Sequence, residues 1–181
     1  MELKYGRPES TDGRSEVELA CYDLLDSLGI DYGRVDHPAA MTMEDCLEAD
    51  GVLGVNMCKN LFLCNRQKTE FYLLLIPGDK AFKTKFFSAA LGIARVSFAD
   101  AEDMTRLLGV TPGSVSIMGL MNDKNGEVKL VIDREVANEE YLGCHPCANT
   151  SSMKISFKDV TEKLIPAMGH EPVYIDLKTE E

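Results

Sequence analysis

Nowhere in the 181 residues do about 18 apolar residues run together, so no transmembrane helix and no membrane partner is expected. Met1 to Gly6 carry no apolar core of the kind a secretory signal needs. A cytosolic protein follows, with its six cysteines mostly as reduced thiols. Positive charge is scarce: 19 Lys and Arg face 30 Asp and Glu, a formal net charge of -11. That argues against a large nucleic-acid footprint, because phosphates are met by Lys and Arg, and leaves room for a small basic patch on an acidic body. The signatures of the commonest phosphate, dinucleotide and serine-hydrolase sites are also missing: there is no Walker loop, no G-x-G-x-x-G and no G-x-S-x-G. Only three histidines and a single C-x-x-C occur, with no second C-x-x-C or H-x₃₋₅-H to complete a zinc set.

What is present is 45% hydrophobic and 27% charged, the balance of one soluble domain with a sizeable core. Residues 1–14 are polar and turn-rich and read as an arm of low order. The domain proper spans 15–177, and residues 178–181 form an acidic, solvated tail. Ser15 and Glu18 read as a capping box, followed by Val17, Cys21, Leu24, Leu25 and Leu28 at helical spacing and a stop at Gly29. A strand over 30–35 and a short helix capped by Thr42 come next. Residues 59–64 and 71–76 are apolar runs around a polar turn, a β-hairpin whose second strand is covered on both faces. Helices are expected over 84–91 and from the Asp100 cap to Leu108, with a strand over 95–98 between them. Residues 111–119 read as a Gly-rich loop entering a strand that turns at 122–126 into a partner over 127–132, a second hairpin. A strand at 153–157, a last helix opened by Asp159 and Glu162, and a strand within 172–177 complete the chain. Interspersed elements with hairpins predict an α+β fold: one mixed, largely antiparallel central sheet with flanking helices.

The densest chemistry lies in Gly143-Cys-His-Pro-Cys-Ala-Asn-Thr-Ser-Ser152, a shaped loop feeding a strand. His145 is placed there as a general base or a substrate positioner. Cys144 and Cys147 read best as buried, inert thiols, with a zinc or thiol-redox role as the alternative. His37 and His170 stand in turn-like contexts, where a surface role is expected. Lys59 opens an apolar strand beside Asn60, where its cation meets either a phosphate or carboxylate or simply water. Gly113-Ser-Val-Ser is either an ordinary turn or a place where a ligand can approach free backbone N–H groups. Lys80, Lys83 and Lys85 are the densest positive cluster.

Lys59-Asn60-Leu-Phe-Leu, Gly109-Val-Thr-Pro-Gly-Ser-Val-Ser and Gly143-Cys-His-Pro-Cys-Ala-Asn-Thr-Ser, in this order, resemble the prolyl-tRNA editing proteins. These are freestanding relatives of the editing insertion domain of bacterial prolyl-tRNA synthetase. The likeness runs from Ser15 to Pro172. It implies an aminoacyl-tRNA deacylase that removes a wrong amino acid, alanine first, from mischarged tRNA(Pro), with no metal and no cofactor. A prolyl-tRNA synthetase is a second partner to consider. By position, Lys59 matches the family lysine expected near the terminal phosphate or adenosine, and Asn60 its neighbour. Gly113 opens the loop whose backbone, through Ser114, Val115 and Ser116, holds the ester. His145 matches the histidine that shapes the amino-acid pocket, and Asn149 belongs to the same signature. Lys80, Lys83 and Lys85 are assigned to the acceptor stem. One departure bears on loop rigidity and substrate choice: where the family loop often reads Gly-x-x-x-Pro, Ile117 stands at the fifth position. A catalytically idle module that recruits tRNA or a synthetase is the alternative from another class.

Overall fold

The computed structural model describes residues 1–39 and 42–180. The strands are β1 (Lys4–Tyr5), β2 (Tyr32–Asp36), β3 (Cys58–Asn65), β4 (Phe71–Pro77), β5 (Val96–Phe98), β6 (Val128–Asp133), β7 (Tyr141–Cys144), β8 (Ser151–Ser156) and β9 (Val173–Ile175). The helices are α1 (Glu16–Ser27), α2 (Met43–Leu53), α3 (Thr84–Leu91), α4 (Ala101–Leu108), α5 (Arg134–Ala137), α6 (Phe157–Asp159) and α7 (Ile165–Ala167). A 3-10 turn covers Ile117–Asn122, and a π turn over Val160–Leu164 joins α6 to α7.

The α+β class holds, and the strands divide into two sheets. One is antiparallel, ordered β1-β2-β8-β7; the other is mixed, ordered β5-β3-β4-β6-β9. Five of the seven pairings among the described residues are antiparallel. β3 and β4 form the expected hairpin. The alternation of β4 explains its unbroken apolar run: Phe71, Leu73 and Leu75 enter the main core, while Tyr72, Leu74 and Ile76 pack with Phe87 of α3 on the other face. The main core also holds Tyr22 and Leu25 of α1, Leu142 of β7, and Met153 and Ile155 of β8, so it lies between the two sheets.

Local chemistry fixes the helix ends. Ser15 Oγ accepts the Glu18 N–H at 3.2 Å, as a cap should. The Glu18 carboxylate does not reach back, however; it accepts from Tyr22 Oη and Arg14 Nη1, both at 2.6 Å. The complete capping box belongs to α2, between Thr42 and Asp45. β1 pairs with β2, which ties the first residues to the antiparallel sheet. The acidic tail is described as far as Glu180; Glu181 lies outside the described residues.

Two expectations are corrected. The second hairpin does not exist: residues 117–122 form a 3-10 turn, and β6 pairs in parallel with β4 and β9. Ile117, Met118 and Leu120 are buried in it, and three buried apolar residues in six read alike as strand or tight turn. The last helix also begins earlier than Asp159. The Phe157 N–H donates to the Glu140 carbonyl at 2.9 Å and helical geometry starts there. Pro166 has no N–H for a regular bond to residue 162. The helix widens before it, so that Ile165 N–H reaches the Val160 carbonyl five residues back.

Candidate active site

Three stretches far apart in sequence meet at one end of the two sheets. Along β3, Phe62 and Cys64 enter the main core, while Leu61 and Leu63 face the α3 layer. Cys58 and Asn60 share the inner face by the same alternation. The Cys58 thiol donates to the Gly143 carbonyl at 3.4 Å, and Met57 bridges to Gly143. A Cβ on Gly143 would lie 2.8 Å from Met57 Sδ and 3.2 Å from Met57 Cα, so glycine is what allows β7 this close to β3. The loop after β7 therefore begins beside Asn60. Asn60 Oδ1 accepts the Ile117 N–H at 3.0 Å. Ser116 Oγ donates to the His145 carbonyl at 2.5 Å and accepts the Met118 N–H at 3.1 Å. Asn60, Ser116, Ile117 and His145 thus form one hydrogen-bonded floor.

The Gly-rich loop above it is a self-closed turn. Ser114 N–H and Oγ both donate to the Thr111 carbonyl, at 3.0 and 2.9 Å. Gly113 sits at φ +92, a backbone conformation that suits glycine. A Cβ there would be 3.9 Å from Asn149 Nδ2, so Gly113 and Asn149 face each other across the two loops. The N–H groups of Gly113, Val115 and Ser116 have no hydrogen-bond partner among the described residues. Unengaged amides on either side of Ser114 in a bent loop are donors of the kind that can meet an oxyanion.

His145 is mostly shielded, and its Nδ1 lies 2.7 Å from the Ser151 carbonyl. A carbonyl only accepts, so the proton is on Nδ1 and Nε2 keeps its lone pair. Burial pulls its pKa below the ordinary 6.5, against the opposing effect of the Ser151 bond, so the ring is neutral at physiological pH. Neither of the other histidines is a surface residue. The His170 ring is buried, its Nε2 2.8 Å from Asp123 Oδ2, a carboxylate that also caps the turn before β6. His37 is buried, its ring edge-on to His145 with centroids 6.1 Å apart. Residue types alone did not point to His37; the signal available was its place directly after β2, since strand ends are where site residues are carried.

Lys59 does not join this floor. It faces the α3 side, and its Nζ donates to the Lys80 carbonyl at 2.6 Å. Among the described residues no carboxylate pairs with it. Lys80 is itself committed to Asp133 at 2.7 Å and Glu135 at 3.1 Å. The exposed cations of that cluster are Lys83 and Lys85, both above the Phe86 ring. A cleft of about 820 Å³ lies alongside, meeting the site at Cys58 and Gly143 and carrying Asp50, Asp79, Glu135 and Glu139.

Cys144 and Cys147 are buried free thiols, as are Cys21 and Cys64, while Cys46 and Cys58 are partly exposed. Burial raises the pKa of Cys144 and pushes Cys58 up to about 12. No group of three or more His, Cys, Asp or Glu among the described residues is placed to hold a metal ion. No helix of the described residues is long and apolar enough to cross a membrane.

Residues 37–163 match the aminoacyl-tRNA editing domain family. The chain is 29% identical over 162 residues to the prolyl-tRNA editing protein ProX of Acetoanaerobium sticklandii, covering 90% of this chain and 98% of that one. It is 28% identical over 166 residues to prolyl-tRNA synthetase associated domain-containing protein 1 of Mus musculus, covering 90% and 97%. A crystal structure of a candidate trans-editing enzyme for prolyl tRNA synthetase superposes with a TM-score of 0.65 at 16% identity, covering 91% of this chain and 99% of that one, a likeness of fold.

Proposed function

Because this chain belongs to the aminoacyl-tRNA editing domain family, we propose that it is a freestanding deacylase that hydrolyses mischarged tRNA(Pro), with the alanyl ester as its first substrate. The observation that carries the reading is the 2.5 Å bond from Ser116 Oγ to the His145 carbonyl, which fastens the amide-lined loop to the histidine loop. An aminoacyl ester is already activated. A site that orients it, polarises its carbonyl and admits water is enough. Water adds to the ester carbon, and the developing oxyanion meets the unengaged N–H groups of Gly113, Val115 and Ser116. Collapse breaks the ester C–O bond and returns the oxygen to the ribose with a proton. The neighbouring ribose hydroxyl assists the water, so no strong protein base is required. His145 and Asn149 bound the amino-acid side, where a space fitted to a methyl group rejects the proline ring by size.

Lys59 holds the tRNA end in this reading. Its ammonium gives one donor to the Lys80 carbonyl and keeps two for a phosphate. Lys83 and Lys85 extend the positive face toward the acceptor stem. The names of the relatives favour a link to prolyl-tRNA synthetase, as substrate source or physical partner. The idle-module alternative drew on Ile117, and the bond from Ile117 N–H to Asn60 speaks against it, because that bond fixes the loop a proline would have stiffened.

Single-turnover deacylation of alanyl-tRNA(Pro), with prolyl-tRNA(Pro) as control, tests the reading. Wild type should release alanine and spare proline, and Lys59→Ala should be slower by about a hundredfold, as a misplaced ester would be. Absence of hydrolysis with alanyl, seryl and cysteinyl esters alike would replace the enzyme by the binding module.

A further inference from the structure

Two histidines, and not one, close the base of the 143–152 loop. β2 and β7 both run antiparallel to β8 and flank it. The residues leaving β2 and β7 therefore meet those entering β8 at one end of the sheet. His37 leaves β2, and its backbone N–H donates to the Thr150 carbonyl at 2.9 Å, extending the ladder. The residue is 7% exposed. Nδ1 is 3.0 Å from the Pro38 carbonyl and Nε2 is 2.8 Å from Ser152 Oγ. The carbonyl can only accept, so Nδ1 carries a proton and Nε2 accepts from the Ser152 hydroxyl. The adjacent residue, Ser151, presents its carbonyl to His145 Nδ1 at 2.7 Å. Consecutive serines thus hold one histidine each, and the rings meet edge-on at 72°.

The grip on Ser151 is doubled from the β2 side. Ser151 Oγ donates to Asp36 Oδ1 at 2.5 Å. Asp36 is fixed in turn by Arg14 at 3.0 Å and by Arg34. Half-burial alone would raise the Asp36 carboxyl, but the bonds from Arg14, Arg34 and Ser151 outweigh it and hold it well below the usual carboxylate range. Asp36 and His37 therefore clamp two neighbouring residues of β8, and the carbonyl between the clamps is the one that orients His145.

We propose that His37, acting through Ser152, is a positioning residue for His145: it fixes the backbone on which the His145 ring hangs and so sets the direction of the His145 Nε2 lone pair. This rests on the reading of the loop as the ester site. Every aminoacyl ester bears an ammonium group on its α-carbon, and a neutral imidazole nitrogen aimed at that group is an acceptor for it. The pairing of ring and carbonyl follows the general pattern in which the second nitrogen of a working histidine is held by a fixed acceptor.

The test has two readouts on the intact protein: the tautomer of His145 by ¹⁵N NMR of its ring, and single-turnover deacylation of alanyl-tRNA(Pro). Wild type should show the Nδ1–H form of His145. His37→Ala should give a mixed tautomer and a rate lower by about tenfold to a hundredfold, with the concentration dependence almost unchanged. His37→Gln, whose amide oxygen can still accept from the Ser152 hydroxyl, should recover most of the rate. If His37→Ala fails to fold, Ser152→Ala removes the same bond while keeping the ring, and the same outcomes apply. A folded variant that retains the wild-type tautomer, or one that loses it at the wild-type rate, overturns the proposal. Wild-type protein that hydrolyses no aminoacyl ester would sink the deacylase reading alone, because the tautomer of His145 still reports whether His37 positions it.

Discussion

At the scale of single residues, the two groups closest to the proposed ester make opposite demands. Gly113 is tied to its backbone angle. A side chain at φ +92 is strained whatever surrounds it, and here the nearest atom to a new Cβ is an ordinary 3.9 Å away. Gly113→Ala should therefore act through the backbone rather than through a clash. The expected cost is about 1–2 kcal/mol of stability by urea unfolding, with a larger loss in hydrolysis because the free amides turn with the chain. His145 depends instead on its proton. Burial sets its folded pKa below 6.5, so the folded protein binds fewer protons there than the unfolded chain. The stability tied to this group is present above pH 6.5 and is lost as pH falls through the lower folded value. If the neutral ring is the working form, single-turnover rates measured between about pH 5 and 8 should stay level as pH drops past 6.5 and decline only below it. A decline centred at 6.5 would show an exposed, ordinary histidine.

At the scale of elements, the Asn60–Ile117 bond does the work that a proline at 117 would do by another route. A proline would fix φ but has no N–H; isoleucine supplies the N–H, and Asn60 at the start of β3 accepts it. Removing the acceptor leaves a buried donor unpaired. Asn60→Ala should cost about 1–3 kcal/mol, while Asn60→Asp, which still accepts, should cost less. Hydrogen exchange at the Ile117 amide is the direct measurement, and equal protection in wild type and Asn60→Ala would show that the loop is fixed some other way. This coupling also marks where the sequence stopped being informative. Caps at Ser15, Thr42 and Asp100, the β3–β4 hairpin and the two-sided burial of β4 were legible because each rests on residues near in sequence. The parallel placing of β6 between β4 and β9 was not, since it joins residues some 40–60 positions apart with no local turn to announce it. His37 escaped for the same reason: Asp36-His37-Pro38 reads as a chain break, and only the β2–β8 pairing puts it over Ser152.

At the scale of the whole molecule, a net charge of -11 must be reconciled with a polyanionic substrate. The cleft next to the site worsens the problem, since Asp50, Asp79, Glu135 and Glu139 line it and repel phosphate. Lys80 offers no relief because Asp133 and Glu135 already hold it. Lys59, Lys83 and Lys85 are the cations assigned here to the RNA, a contact of about three phosphates. For a single strand the logarithm of affinity falls with the logarithm of salt at about 0.7 per phosphate, so wild type should show a slope near -2. Lys83→Glu with Lys85→Glu should move that slope toward -0.7 and weaken tRNA binding, while Lys59 keeps the 3′ end and the fold is unaffected. Fluorescence anisotropy of labelled tRNA(Pro) over a salt series reads both quantities. A slope steeper than about -4 in wild type would show that cations of this chain outside that face also meet the RNA. A slope unchanged by the double substitution would remove α3 from the contact and leave Lys59 as the only cation of the three in contact with the RNA.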